Sequence, residues 1–123
     1  MTYDAFNKCC CSLTATSHVI QWGGVHVGKV GGKVFAIGGW QKSDQAAFTF
    51  KVSDIHFEML HDAIGFRPAP YLASRGMQWI QQHETMQKTD KKLKYYIAES
   101  HRVVSLGITK KMQRELGLNQ GKP

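Results

Sequence analysis

The pair Gly31-Gly32 constrains this chain most, because it joins two apolar-rich runs at residues 25–30 and 33–37. Both central residues of a type I′ turn need a positive φ, which glycine adopts without a steric penalty. The sequence therefore predicts a β-hairpin with a two-residue loop, in which Lys29 pairs with Val34. The remaining elements have to be compatible with this hairpin.

Two lysines, Lys29 and Lys33, flank the turn and put positive charge on the tip of a projecting loop. A basic hairpin tip is what a nucleic-acid wing needs to contact phosphates. It is equally what a soluble protein uses to keep a strand edge from aggregating. The hairpin alone leaves both interpretations open.

Both faces of this hairpin are apolar, so a face that no helix covers would be a partner surface or a dimer interface. Strict alternation predicts two sets of side chains, with Val25, Val27, Val34 and Ala36 on one face and Phe35 and Ile37 on the other.

The chain has 123 residues, of which 42% are hydrophobic and 20% are charged. This size and composition predict one domain over residues 1–118, followed by a frayed tail at 119–123, and exclude a disordered protein. The apolar runs are too short to span a membrane, and the N-terminus lacks a signal-peptide pattern. We therefore expect a soluble cytoplasmic protein with no membrane partner.

The pattern of apolar residues predicts an α+β fold of two layers, with an antiparallel sheet and helices packed on one face. The predicted order is α-β-β-β-α-β-α, with room for an extra strand before the hairpin or after Trp79. Thr2, Ser53 or Asp54, and Thr109 are candidate helix N-caps. Residues 67–72 contain two prolines and predict a rigid extended loop that cannot form a central strand.

The short helix after Ser53 is predicted to bury one stripe and to end at Gly65. The stripe consists of Ile55, Met59, Leu60 and Ala63. The long helix from Asp90 is predicted to bury its own stripe. That stripe consists of Leu93, Tyr96, Ile97, Ser100, Val103 and Val104.

Metal, cofactor and catalytic sites are not predicted. Cys9, Cys10 and Cys11 are adjacent and cannot converge on one ion, so they indicate a reducing compartment, with one thiol facing the core. The run 23–29 has the spacing of a phosphate-binding loop, but Val30 follows it where a Ser or Thr is required. No pattern pairs a nucleophile with a base. We expect a non-enzymatic protein without a cofactor or a small-molecule substrate.

The net charge of +7 is uneven: residues 88–123 carry nine cations against three anions. Basicity concentrated in blocks favours a polyanionic partner, although lysines also simply solvate helix faces. The tryptophans Trp22, Trp40 and Trp79 either supply stacking platforms or belong to the core. The candidate phosphate-binding residues are Lys29, Lys33, Arg67, Arg75, Lys91, Lys92, Lys110, Lys111 and Arg114. Arg67 has an alternative structural role, in holding the proline loop.

Four segments together resemble the MmcQ/YjbR family of small "double-wing" proteins. They are the run 29–36, Phe50-Lys51-Val52, the proline segment 67–72 with Trp79 downstream, and Ser100-His101. The resemblance implies an antiparallel α+β domain of the CyaY-like or secretion-chaperone-like type, and a family name that presumes DNA binding. The extra glycines at 23–24 and 38–39 depart from the simplest family pattern.

These observations lead to two functional expectations. The first is weak, sequence-tolerant DNA binding through the basic hairpin and the C-terminal cations. The alternative is a protein-interaction or self-association module that uses the sheet face or an edge strand, with no nucleic acid. We expect a monomer or a weak homodimer.

Overall fold

A computed structural model of the chain describes residues 1–41, 45–70, 78–84 and 90–121. The helices are α1 (Tyr3–Cys11), α2 (Asp54–Leu60), α3 (Asp90–Leu106) and α4 (Lys110–Leu116). The strands are β1 (Thr16–Gln21), β2 (Val25–Val30), β3 (Lys33–Gly38), β4 (Phe48–Lys51), β5 (Phe66–Pro68) and β6 (Trp79–Gln82). Across these ranges, none of the helices has the length and apolar character that a membrane span requires.

The six strands form one antiparallel sheet in the order β1-β2-β3-β4-β6-β5. The predicted α+β class is confirmed, and the extra strand before the hairpin exists as β1. The prediction that the proline segment starts as a loop is wrong at its first residues, because Arg67 and Pro68 belong to β5. This strand is three residues long and lies at the sheet edge, where a proline costs no ladder hydrogen bond.

Three helices begin where the sequence places their caps. The side chains of Thr2, Ser53 and Thr109 each accept a hydrogen bond from the backbone N–H three residues later. Each bond satisfies a first-turn donor that has no partner inside the helix. The starts of α1, α2 and α4 are therefore set by local chemistry.

The main core lies between the sheet and its helices. Its largest wholly buried side chains come from α1, β3 and β4, with α3 closing the layer. They include Phe6, Phe35, Phe48, Phe50, Leu93 and Ile97. The predicted stripe of α3 is confirmed, since all but Val103 of its residues are buried.

The predicted stripe of α2 is wrong, apart from Leu60 and the half-buried Ala63. Ile55 and Met59 are exposed, because α2 turns another side toward β5 and β6. The helix also ends at Leu60, before the predicted Gly65. Helical spacing identifies which side chains share a face, but packing against the sheet decides which face is covered.

A buried hydroxyl ties α3 to two strands. Ser100 Oγ donates to the carbonyl of Phe35 at 2.6 Å and accepts from the backbone N–H of Lys51 at 2.8 Å. Ser100 is fully buried, so both backbone groups depend on it for their hydrogen bonds. Three of the segments that carry the family resemblance thus meet at one atom.

The hairpin is irregular at one position. Lys29 pairs with Val34 as predicted, but Gly28 pairs with Ala36, so Phe35 is an extra residue in β3. This β-bulge overturns the predicted faces: Ala36 joins Phe35 in the main core. Ile37 lies on the opposite side of the sheet, in a second apolar cluster with Val25, Val27, Val19, Val34 and Trp40.

Candidate nucleic-acid interface

The hairpin tip packs against the junction between α3 and α4. A Cβ added to Gly31 would lie 2.7 Å from Ile108 Cδ1 and 3.2 Å from Leu116 Cδ1. Beside it, Lys33 Nζ donates to the carbonyl of Gly107 at 3.3 Å. The sequence predicts a projecting tip. In the structure the tip instead lies against the α3–α4 junction, at the same end of the molecule as α4.

Helix α4 adds its own cations at this end. Lys110 and Arg114, four residues apart, lie on one side of the helix and line a shallow hollow of about 230 Å³. Its wall is completed by the side chains of Gln113, Asn119 and Gln120. Lys111, in the same first turn, is exposed.

The wall of the hollow is held in place by amide hydrogen bonds. Gln113 Nε2 donates to the carbonyl of Ile108 at 2.6 Å. Asn119 Nδ2, within the predicted tail, donates to Gln113 Oε1 and to Ser105 Oγ, each at 3.0 Å. These bonds fix the C-terminal segment against α4.

We call Lys33, Lys110, Lys111 and Arg114 the basic end. Within the ranges that the structure covers, none of the four forms an ion pair. All four are exposed, so their charges are available to a polyanion.

Lys91 and Lys92 belong to a different place. They are exposed in the first turn of α3, beside Asp90, which forms an ion pair with the N-terminal amine at 2.9 Å. The 17 residues of α3 separate this turn from the basic end by about 24 Å along the helix axis. These two lysines therefore do not contribute to the basic end directly.

Lys29 and Arg67 also lie apart from the basic end. Strand alternation puts Lys29 on the side of the sheet that carries Val25 and Val27. We call this the helix-free side, because the four described helices pack on the other one. Arg67 Nε donates to Gln81 Oε1 at 2.8 Å, a side-chain contact that joins β5 to β6. Arg75 lies outside the described residues.

The tryptophans are divided between core and surface. Trp79 is buried, whereas Trp22 and Trp40 stack on each other with ring centroids 5.3 Å apart. Trp22 is 56% exposed. This pair lies at the far end of the hairpin from the Gly31-Gly32 turn, so it does not extend the basic end.

A small cavity between β4, α2 and α3 is a feature that the sequence did not reveal. Its volume is about 30 Å³, and its polar lining includes Lys51, His56, Tyr96 and Arg102. Arg102 Nε donates to Glu99 Oε2 at 2.6 Å, and burial raises the pKa of Tyr96. The space suits one or two waters rather than a substrate. Its residues come from three separate elements, so no local motif could have revealed it.

The cysteines and histidines form no metal site among the described residues. Cys10 is the thiol that faces the core, as predicted, and burial raises its pKa. His26 stacks between Tyr3 and His18, with centroids 5.0 and 5.9 Å away. These groups pack α1 against β1 and β2.

Comparison with known proteins supports the fold and the family. The structure resembles the crystal structure of Deinococcus radiodurans protein DR2400, which carries domain DUF419, with a TM-score of 0.80 and 23% sequence identity. The similarity covers 98% of this chain and 91% of that one. No curated protein matches the chain. The YjbR family model matches residues 11–103, and the chain therefore belongs to the YjbR family.

Proposed function

We propose that this protein binds nucleic acid through phosphate contacts at the basic end, weakly and without sequence preference. The observation that carries the proposal is the packing of the hairpin tip on the α3–α4 junction. It brings Lys33 next to the helix that holds Lys110, Lys111 and Arg114. Cations from two distant parts of the sequence thus act on one region of space.

The chemistry of these side chains favours phosphate over base edges. Three of the four are lysines, whose ammonium groups are point charges suited to phosphate oxygens. Base readout depends on planar groups presented in a groove by a helix or a ribbon. The basic end offers one arginine on a helix of seven residues. Affinity should therefore depend on charge and salt more than on sequence.

The test is a fluorescence-anisotropy titration of single- and double-stranded DNA at several salt concentrations. With four phosphate contacts, the plot of log K against log salt concentration on duplex DNA should be no steeper than about −3.6. An absence of binding at low salt would refute the proposal for the free protein.

Matched charge removals test the location of the site. Lys110→Gln with Arg114→Gln should reduce the steepness of the slope by about 1.8, since two contacts are lost. Lys91→Gln with Lys92→Gln removes the same charge at the far end of α3 and should leave the slope nearly unchanged. Equal losses from both pairs would mean that net charge, and not the basic end, attracts the DNA.

A second candidate function is a protein-interaction module. It is favoured by the edge strand β1, where Ile20 is 57% exposed, and by the neighbouring exposed Trp22. Salt separates the two functions. DNA binding weakens steeply with salt, whereas an apolar or backbone-paired interface of a +7 chain does not.

A further inference from the structure

One edge of the sheet is open. Just before β1, the carbonyl of Ala15 accepts from Gly31 N–H at 3.2 Å, and the β1–β2 register continues without a shift to Gln21. Hydrogen-bonded and non-bonded positions alternate in an antiparallel pair. The backbone groups of Thr16, His18 and Ile20 therefore point away from β2, and the described residues provide no partner for them.

This edge lacks the features that normally prevent pairing. Residues 16–21, Thr-Ser-His-Val-Ile-Gln, contain no lysine, arginine, acid or proline, and β1 has no bulge against β2. The opposite edge has such features, because β5 has three residues and contains Arg67 and Pro68. The β5 edge is thus protected against pairing with another strand, whereas the β1 edge is not.

We propose that β1 pairs antiparallel with β1 of a second copy of this chain, which joins two sheets into one of twelve strands. This inference rests on the second candidate function and is independent of nucleic-acid binding. A two-fold axis beside His18 aligns all the outward groups, with Thr16 opposite Ile20 of the second copy. That arrangement forms about six backbone hydrogen bonds between the copies.

The side chains and charges favour a second copy as the occupant. Ile20 is 57% exposed on one side of β1, and Val19 extends the apolar cluster on the other. β1 itself has no lysine, arginine or acid, and the nearest cation across the register, Lys29 opposite Ser17, lies one strand in from the edge. Two copies can therefore meet at β1 without bringing like charges directly opposite each other. A self-complementary surface is what a two-fold interface requires.

The main test is a proline substitution that removes only an outward donor. His18→Pro deletes an N–H that β2 does not use, so the fold is retained. His18→Ala is the matched control, because it loses the same imidazole but keeps the N–H. By sedimentation at protein concentrations up to millimolar, we expect a concentration-dependent dimer for the native chain and for His18→Ala, and a monomer for His18→Pro. A dimer that persists in His18→Pro, or a native chain that remains monomeric throughout, would overturn the proposal.

Amide hydrogen exchange gives a second readout on the unmodified chain. The amides of Thr16, His18 and Ile20 should gain protection as concentration rises, while Ser17 and Val19, already bonded to β2, should not change. Uniformly fast exchange at the outward amides would also refute self-pairing. Neither measurement contains DNA. A negative result here would therefore not count against DNA binding at the basic end, and an absence of DNA binding would not count against self-pairing of β1.

Discussion

Replacing Ser100 with alanine should destabilise this fold more than a change of one oxygen atom suggests. The hydroxyl donates to Phe35 O in the core between α3 and the sheet, and it accepts from the part-buried N–H of Lys51. The space left by one oxygen is too small for a replacement water. A buried carbonyl and a part-buried N–H would lose their partner, at about 1–3 kcal/mol each.

The expected loss is therefore about 2–6 kcal/mol out of a typical total of about 5–15 kcal/mol. For 123 residues, each kcal/mol corresponds to about 4 °C, so the melting temperature should fall by about 8–24 °C. Urea unfolding should show a lower midpoint with an unchanged m-value.

The matched control is Ser12→Ala. Ser12 Oγ also donates to a carbonyl, that of Cys9 at 2.6 Å, but Ser12 is exposed and water can replace the bond. This variant should lose less than about 1 kcal/mol. If Ser100→Ala is no more destabilising than Ser12→Ala, the buried hydroxyl does not hold β3 and β4 as argued.

Two further predictions concern packing at the hairpin tip and on α1. Gly31→Ala and Gly32→Ala both place a side chain at positive φ, but only the Gly31 methyl meets Ile108 Cδ1 and Leu116 Cδ1, which must move. Urea unfolding should therefore show that Gly31→Ala is less stable than Gly32→Ala, by up to about 1 kcal/mol. Equal losses would mean that close packing of the tip on Ile108 and Leu116 does not contribute to stability. Burial raises the pKa of the Cys10 thiol, so at pH 8 iodoacetamide should modify exposed Cys11 well before Cys10, as followed by mass spectrometry. If Cys10 reacts as fast as Cys11 in the native protein, α1 does not bury it.

Local chemistry explains why much of the fold could be predicted. A cap such as Thr109 and a turn such as Gly31-Gly32 each act through neighbouring residues, and the stripe of α3 repeats over 17 residues. The side of α2 that faces the sheet and the existence of β5 depend on pairing with distant strands, which no local signal reports.

The candidate site divides in the same way. The sequence identifies the cations, but only tertiary packing shows that Lys33 reaches Gly107, at the start of the segment leading to Lys110. The structure also shows that Lys91 and Lys92 lie at the opposite end of α3 from the basic end. Arg67 donates a hydrogen bond to Gln81 instead of facing the other cations. Charge composition thus predicted a class of partner, whereas convergence of charge needed the structure.

The bulge at Phe35 affects the main core, the strands next to the β1 edge, and the hairpin that leads to the basic end. Its extra residue turns Phe35 and Ala36 to the helices and sends Ile37 to the helix-free side. The Phe35 ring has room because the opposite strand carries Gly28, where a Cβ would lie 3.3 Å from Phe35 Cε1 and 3.2 Å from Cys10 Sγ.

In a regular hairpin, Ile37 would add to the main core and the small Ala36 would lie on the helix-free side. With the bulge, that side instead carries Ile37 together with Val25 and Val27, and Val19 of β1 continues the cluster to the open edge. The buried apolar cluster beside β1 therefore owes its Ile37 to one extra residue in β3. Beyond the bulge, Lys29 still pairs with Val34, so the Gly31-Gly32 turn that carries Lys33 to α4 keeps its two-residue geometry.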